Sequence, residues 1–473
     1  MYMTAADFIC LAPLIIIASA PVIIMMTLTF SRNNLVIYGF SLLMFLMAAA
    51  SLIFILPKLP HKIEPLITFD LFGVIFLGII IVSGFIITVF SYLYFKNHGD
   101  QKEEYYIILF VAILGAAILV LSEHFVSFFL GLETLSISLY ILIAYIKYRD
   151  YSVEAGIKFL VIASVSTSFL LFGMALLYAA TGSLDFPGVA AVIQGEPSSA
   201  LLLIGIGMIL AGIGFKMALV PFHMWAPDVY QGAPVPVTMF IATISKGAVI
   251  VVALRLFFAI GVPKNQIIYI VISLIAILTM FTGNLLALRQ NNLKRLLAYS
   301  SIAHMGYIVI TLLTGTGNGA QAAVFYLVSY FITLLAAFGV ISLLSDHYCD
   351  FGDIEDMKGL YYSNPWIAAV LTLSMFSFAG IPLTAGFIAK FYIVLEGIRS
   401  SMWILAFSII INTVISLYYY LTVIKTMFVS TGDYVPVKFP LTGNLILAVL
   451  SLAIIILGII PSLLTGLLSE IRV

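Results

Sequence analysis

The sequence has little charge, little cysteine and no clustered histidine. Only 9% of its 473 residues are Asp, Glu, Lys or Arg, against roughly 25% in an ordinary soluble domain, and 21 basic residues balance 21 acidic ones. This balance gives no reason to expect nucleic acid or an acidic partner. Two cysteines, Cys10 and Cys349, provide no disulfide framework or thiolate cluster. The six histidines lack the paired spacing of a haem or metal site, so we expect no metal or redox centre in this chain.

Long apolar stretches take the place of charge. Hydrophobic residues make up 63% of the chain, and its mean hydropathy is +1.20. A bilayer core about 30 Å thick takes about 20 apolar helical residues per crossing, so a chain of this length crosses many times. The stretches lack the in-and-out alternation of a membrane barrel. The sequence therefore predicts an all-α integral membrane protein.

Charged residues and clusters of Pro, Gly or Asn divide the chain into about fourteen apolar segments, numbered here as helices 1–14. They cover residues 5–29, 35–56, 70–95, 105–122, 125–146, 153–181, 199–224, 235–260, 266–287, 293–313, 319–345, 365–397, 402–428 and 442–467. The first segment has no basic n-region, so we expect a retained helix and no cleaved signal peptide. Loops after odd-numbered helices hold eleven Lys and Arg, and the other side holds five. This bias predicts that both termini lie outside the cytoplasm.

A few charged residues fall inside the apolar segments. Glu133 and the basic residues Lys158, Lys216, Lys246, Arg255 and Lys390 form this set. A charge at the centre of a spanning helix costs about 2.5–3.5 kcal/mol even on the lenient insertion scale, so such residues usually face protein or water. Structural pairing or snorkelling is an alternative, weighed most for Lys158 and Arg255 near helix ends. A chain of buried Glu and Lys groups is typical of a proton relay, because each member biases its neighbour electrostatically.

Two of the charged helices also contain helix breakers. Pro221 follows Lys216 by five residues, and the Ala-Gly-Ile-Pro run at 379–382 precedes Lys390 by eight. Broken helices with a lysine in corresponding places indicate an inverted-repeat transporter core. We therefore predict two inverted five-helix repeats, helices 4–8 and helices 9–13, with helices 7 and 12 broken. The predicted divisions are 1–104, 105–260 for the first repeat, 261–430 for the second, and 431–473 for the last helix.

Residues 215–238 and 291–307 resemble the antiporter-like subunits of proton-pumping NADH:quinone oxidoreductase, respiratory complex I. The run DVYQGAP at 228–234 is the most specific part, and the resemblance extends over essentially the entire chain. The chain is most similar to the N-type subunits, because M-type subunits typically carry glutamate at the position of Lys390. D-type subunits of multisubunit sodium/proton antiporters also carry a lysine there and are the main alternative.

The resemblance implies a role for each charged residue. Glu133 would tune Lys216, Lys246 would link the two repeats, and Lys390 would serve the second half-channel. Lys158 and His304 match further polar positions of the family. NADH, FMN, iron–sulfur clusters and quinone would belong to partner subunits, with none of these cofactors in this chain. The expected neighbours are an M-type subunit on one side and small K- and J-type subunits on the other, in a bacterial cytoplasmic (inner) membrane. Proton or sodium coupling, and a stand-alone transporter, stay open at this point.

Overall fold

The computed structural model describes residues 4–97, 103–195, 199–261, 265–345, 350–430 and 439–468. Within these ranges, thirteen helices are long and apolar enough to cross a membrane, and a shorter apolar helix adds one more crossing. We number the crossings in chain order: α1 Ala5–Phe30, α2 Asn34–Ile55, α3 Leu71–Asn97, α4 Glu103–Leu121, α5 Phe125–Ile143, α6 Asp150–Thr181, α7 Ala200–Met217 and Trp225–Gly232, α8 Val235–Ile260, α9 Gln266–Ala287, α10 Leu293–Leu312, α11 Gly317–Leu344, α12 Pro365–Ala379 and Ala385–Arg399, α13 Trp403–Met427, α14 Leu441–Ile459. The prediction of fourteen crossings is confirmed, and the protein is a multi-pass integral membrane protein.

Short elements join some of the crossings. A two-stranded antiparallel hairpin of β1 (His61–Ile63) and β2 (Ile67–Phe69) lies between α2 and α3. A ten-residue helix, Phe186–Gly195, connects α6 to α7. The last predicted segment is shorter than expected, since α14 ends at Ile459 and a separate helix, Ser462–Leu468, follows Pro461. Proline cannot donate the backbone hydrogen bond that would continue the helix.

The two repeats use the same close helix packing. A Cβ on Gly115 of α4 would lie 2.6 Å from the Leu135 amide nitrogen and 2.8 Å from the Gly131 oxygen of α5. In the second repeat, a Cβ on Gly283 of α9 would lie at the same two distances from the Ala303 nitrogen and the Tyr299 oxygen of α10. Only glycine allows this approach. Each of these three residues stands 168 positions after its counterpart, so α4–α5 and α9–α10 are equivalent.

Both breaks are built from a left-handed residue at the end of the first half-helix. The first half of α7 ends at Ala218, with φ of 59°, and the first half of α12 ends at Gly380, with φ of 77°. Lys216 lies two residues before its break, whereas Lys390 lies in the second half of α12, after its break. The expectation of lysines in corresponding places was therefore wrong. The order of residues in the sequence already indicated this, since Pro221 follows Lys216 whereas Pro382 precedes Lys390.

Helix α8 changes its winding immediately before Lys246. Residues Ile241–Ser245 form a π-helical turn between Val235–Phe240 and Lys246–Ile260. Such single π turns inside α-helices frequently mark functional sites, because the wider turn re-aims the side chains around it. The turn is almost wholly buried in the centre of the molecule.

Candidate functional site: a buried polar axis between the repeats

Lys216, Lys246 and Lys390 are all buried. Their exposed fractions are 8%, 1% and 5%, respectively. Three buried lysines in one chain require polar surroundings, since each would otherwise be an uncompensated charge. Among the described residues, none of the three has an ion-pair partner. Each ammonium instead contacts neutral oxygen atoms and aromatic rings.

Glu133 and Lys216 lie at one end of the axis without a direct bond. The Lys216 ammonium donates to the Ser136 hydroxyl at 2.6 Å, and Ser136 is one turn along α5 from Glu133. Oε1 of the half-buried Glu133 accepts a hydrogen bond from Thr167 of α6 at 2.8 Å. The two charges still act on one another electrostatically. Ser136 and Thr167 therefore hold the acid and the lysine as separate but neighbouring groups.

Aromatic rings fill the space between Lys216 and Lys246. The Lys216 nitrogen lies 5.8 Å from the Phe159 ring centroid and 5.9 Å from that of Phe215. Trp225 packs on both rings, with centroid distances of 4.9 and 5.5 Å, and its far side lies 6.0 Å from the Lys246 nitrogen. The Trp225 indole also donates at 2.9 Å to the Phe215 carbonyl, which accepts a second hydrogen bond from the Ala218 N–H at the break in α7.

Ser301 is the hydrogen-bonding partner of Lys246. Its hydroxyl accepts from the Lys246 ammonium at 2.7 Å and from the Tyr330 hydroxyl at 2.7 Å, and it lies 3.2 Å from the Tyr230 hydroxyl. By the 168-residue offset between repeats, Ser301 is the counterpart of Glu133. The second repeat thus places a neutral hydroxyl where the first places a carboxylate.

His304 continues the axis towards Lys390. Its Nδ1 lies 2.5 Å from the Tyr326 hydroxyl and its Nε2 lies 3.3 Å from the Tyr420 hydroxyl, which bonds Ser300 in turn. A cavity of about 10 Å³, roughly the space for one water molecule, is lined by His304, Tyr326 and Lys390 among others. Hydroxyl, imidazole and water can pass protons along such a line.

Lys390 closes the open helix end at the break in α12. Its ammonium donates to the carbonyls of Phe378 at 2.8 Å and Ala379 at 3.4 Å, which the break leaves without helical partners. The Tyr307 ring centroid lies 5.3 Å from the same nitrogen. Gly380 leaves room for this, because a Cβ there would lie 3.1 Å from the Lys390 side chain. The lysine is therefore part of the break itself.

Lys158 lies apart from the buried lysines. Its side chain is 45% exposed and pairs with Glu154 at 2.7 Å and Asp228 at 3.1 Å. Asp228 also pairs with Arg295 at 2.8 Å. These groups line a cavity of about 320 Å³ on the side of the loops that follow odd-numbered helices. Arg255, the other basic residue near a helix end, pairs with Asp70 and donates to the Val120 carbonyl at 3.1 Å, which matches the structural alternative.

A buried charge cluster at the same side joins the two repeats. Asp350, in the segment between α11 and α12, accepts from Lys294 of α10 at 2.8 Å, from Arg149 at 3.0 Å and from Tyr94 of α3. Burial alone would raise the pKa of Asp350, but the charge of Lys294, the hydrogen bonds from Lys294 and Tyr94, and the charge of Arg149 bring the pKa below its ordinary value. Lys294 also donates to the Ala233 carbonyl at 2.8 Å. The cluster therefore fixes the link between α7 and α8 against the second repeat.

The polar axis, the two breaks and the repeated helix packing agree with one family. The family described as NADH:quinone oxidoreductase/Mrp antiporter, transmembrane region, matches residues 122–416, more than half of the chain. The chain belongs to this family. Within the ranges that the structure describes, no group of three or more His, Cys, Asp or Glu is placed to hold a metal ion.

Solved structures from this antiporter-like group resemble the chain over nearly its full length. A chain of respiratory complex I from Thermus thermophilus is 31% identical, with a TM-score of 0.83 over 96% of this chain and 99% of that one. A chain of the membrane-bound sulfane sulfur reductase, an archaeal respiratory membrane complex, is 26% identical, with a TM-score of 0.87 over 98% and 96%. A chain of the Mrp complex from Dietzia sp. DQ12-45-1b has a TM-score of 0.87 over 98% and 96% at 18% identity, which shows a common fold.

Sequence reasoning missed several partners of the axis. It did not name Ser136, Thr167, Ser301, Tyr330 or Asp350 as site residues. Lys294 was counted among the loop charges, but it lies buried in the first turn of α10. A usable signal was present, because the 168-residue offset would have aligned Glu133 with Ser301 and Ser136 with His304. Without the glycine packing, no feature of the sequence defined that offset.

Proposed function

We propose that this chain is an N-type membrane-arm subunit of a proton-pumping NADH:quinone oxidoreductase. It would move protons along Glu133, Lys216, Lys246 and Lys390, with His304 between the last two and Lys158 at the entrance. The observation that carries the proposal is the bonding of the three buried lysines to neutral oxygens. A neutral oxygen accepts hydrogen bonds from an ammonium and also from the N–H groups of a neutral amine, so it supports both protonation states. A carboxylate in direct contact would hold each lysine charged.

The chain would do no redox chemistry of its own. NADH, FMN, iron–sulfur clusters and quinone would be held by partner subunits, and the neighbours would be an M-type antiporter-like subunit and small K- and J-type subunits. Glu133 is half-buried, so less protein separates it from a neighbouring subunit than separates the inner lysines. A charge change in that neighbour would therefore act more strongly on Glu133 than on the lysines. A shift at Glu133 would then alter Lys216 and start transfer towards Lys246. The location would be the bacterial inner membrane, with both termini outside the cytoplasm.

Replacement of Lys216 in the assembled complex tests this proposal. Lys216→Ala should slow proton translocation at least tenfold, which corresponds to about 1.4 kcal/mol in the barrier for transfer. The matched control is Lys358→Ala, since Lys358 lies on the surface and, within the described part of the chain, its ion-pair partner is Glu355 three residues away. Protons moved per electron and the rate of quinone reduction would be measured in liposomes. Unchanged values for both in Lys216→Ala would refute the proposed relay.

A D-type subunit of a multisubunit sodium/proton antiporter is the second candidate. The family description covers Mrp antiporters as well as the oxidoreductase, and all three similar structures are multisubunit membrane complexes. Purification in mild detergent separates the candidates by what accompanies the chain. Flavin and iron–sulfur absorbance in the purified complex would favour the oxidoreductase, and cation-driven pH changes without an electron donor would favour the antiporter. Transport by the purified chain alone would instead indicate a stand-alone transporter.

A further inference from the structure

An apolar groove of about 470 Å³ lies on the membrane-facing side of the molecule, between α2, α3, α11 and α14. Fifteen residues line it, and Ser83 is the one with a polar side chain. Ile53 and Val82 on its rim are 67% and 55% exposed. In a bilayer, an empty groove of this size would leave its wall without van der Waals contacts on one side. Some hydrophobic group must therefore fill it.

The groove spans one leaflet of the membrane. Along α3 its lining runs from Val74, close to the start of the helix, to Ile86, about 18 Å further at 1.5 Å per residue. On α2 it begins at Leu56, where the helix ends, and on α11 it reaches Leu335, a little beyond the middle of the crossing. Half of a hydrocarbon core of about 30 Å is about 15 Å. The groove thus runs from one membrane surface to about the midplane.

A transmembrane helix of a neighbouring subunit does not fit this space. A helix crosses both leaflets. The groove follows α3 for about 18 Å, so it matches only part of a crossing helix. A flexible acyl chain, which extends through a single leaflet, matches its length and its apolar wall.

A free cation lies at the surface end of the groove. Lys58 follows the lining residue Leu56 by two positions, in the short 3₁₀ turn Leu56–Lys58. Among the described residues Lys58 has no ion pair, whereas nearby Lys62 is paired with Glu123 at 2.8 Å. We propose that this groove binds one phospholipid, with an acyl chain along α3 and an anionic headgroup at Lys58.

The inner wall of the groove touches the polar axis. Phe331 of α11 lines the groove, and a Cβ placed on Gly247 would lie only 2.2 Å from its ring. Gly247 directly follows Lys246, so the Phe331 ring lies between the acyl chain and the helix that carries the central lysine. The lipid would hold this ring in place. Binding itself does not depend on the function proposed above.

The test uses the assembled complex reconstituted with phosphatidylglycerol that carries brominated acyl chains, viewed by electron cryomicroscopy. Bromine density should appear in the groove of the unmodified protein and end near Phe331. Gly78→Leu should remove this bromine density, because the new side chain would occupy the groove. A Cβ at Gly78 has free space around it, and its nearest neighbour is the Leu52 side chain at 3.5 Å. Gly39→Leu is the matched control on the exposed face of α2, where a Cβ meets nothing within 4 Å. Val82→Trp is a second variant that should fill the groove and remove the bromine density.

Three outcomes would overturn the assignment. They are an empty groove in the unmodified complex, a protein helix seated in it, or bromine density that survives both Gly78→Leu and Val82→Trp. The headgroup is tested separately with a mixture of brominated phosphatidylglycerol and unlabelled phosphatidylcholine. Lys58→Gln should reduce the bromine signal in the groove to the proportion in the bulk mixture. A signal as strong as in the unmodified protein would contradict the role of Lys58.

Discussion

The side chains on the two sides of Lys246 differ in their chemistry. Towards Lys216, the rings of Phe159, Phe215 and Trp225 pack in stacked and tilted arrangements, with no hydroxyl between the two ammonium groups among the contacts described. Towards Lys390, the contacts are hydroxyls, an imidazole and a cavity of about one water. A proton can therefore be handed along the second side through fixed groups, whereas the first side needs water to enter or rings to move.

The two inverted repeats share one backbone arrangement, but they carry different side chains at equivalent positions. The 168-residue offset places Ser301 opposite Glu133 and His304 opposite Ser136. The first repeat carries the acid, near the surface, where a neighbour can act on it. The second carries the imidazole, and its axis lysine, Lys390, has no acid partner among the described residues. The comparison suggests that the first side controls transfer and the second side conducts.

The comparison depends on a fixed arrangement of the repeats, which Asp350 maintains. Asp350→Asn should lower the free energy of unfolding by about 3–5 kcal/mol, because Lys294 and Arg149 would be left as uncompensated buried charges. The change would be measured by unfolding in mixed micelles. The control is Glu355→Gln in the same segment, where the carboxylate is 82% exposed and its loss should change little.

The pH dependence of this cluster has a definite sign. The pKa of Asp350 lies below its ordinary value, so its contribution is fully present above the pKa of a free carboxyl, about 3.9, and is lost as pH falls through the lowered pKa. The stability difference between the unmodified protein and Asp350→Asn should be constant from about pH 8 to about pH 5. A difference that already declines near neutral pH would contradict the assignment.

Variants at the two outer lysines should differ in stability, although the proposed relay uses both residues. Lys390→Met leaves the Phe378 and Ala379 carbonyls unpaired at the break, at a cost of about 1–3 kcal/mol. Lys216→Met removes only a donor to Ser136, whose hydroxyl keeps its own bond to the Leu132 carbonyl at 2.6 Å. Unfolding of the two variants in the same detergent compares them directly. Equal losses would mean that Lys390 is not the cap of α12.

The aromatic side should be sensitive to polarity. Trp225→Phe keeps a ring and loses the indole bond to Phe215, worth about 0.5–1.5 kcal/mol, so proton translocation should change little. Trp225→Asn introduces a polar group between Lys216 and Lys246 and should admit water, which predicts a proton leak in liposomes without substrate. The two variants are interpreted together. A leak in both would indicate that any change at Trp225 loosens the packing. No leak in either would contradict the role of Trp225 as a barrier to protons.

Much of this architecture could be predicted from sequence, and the limits have physical causes. Fourteen apolar segments and two broken helices follow from hydropathy and from Pro221 and Pro382, which act locally. The buried lysines stand out because charge at membrane depth is costly. Partners such as Thr167, Ser301 and Asp350 could not be predicted, since each contacts its lysine or acid from a different helix. The sequence places Lys390 after its break, but not its hydrogen bonds to the Phe378 and Ala379 carbonyls, which depend on the left-handed turn at Gly380.

The most direct test of the relay is Lys246→Arg in the assembled complex. Arginine keeps the positive charge beside Ser301 but does not release its proton at physiological pH. Protons translocated per electron would be measured in liposomes, with recovery of the intact complex as the check on folding. If Lys246 exchanges protons, Lys246→Arg and Lys246→Ala should both lower translocation at least tenfold. Normal translocation by Lys246→Arg would show that only the charge is needed, and would contradict a relay through this lysine.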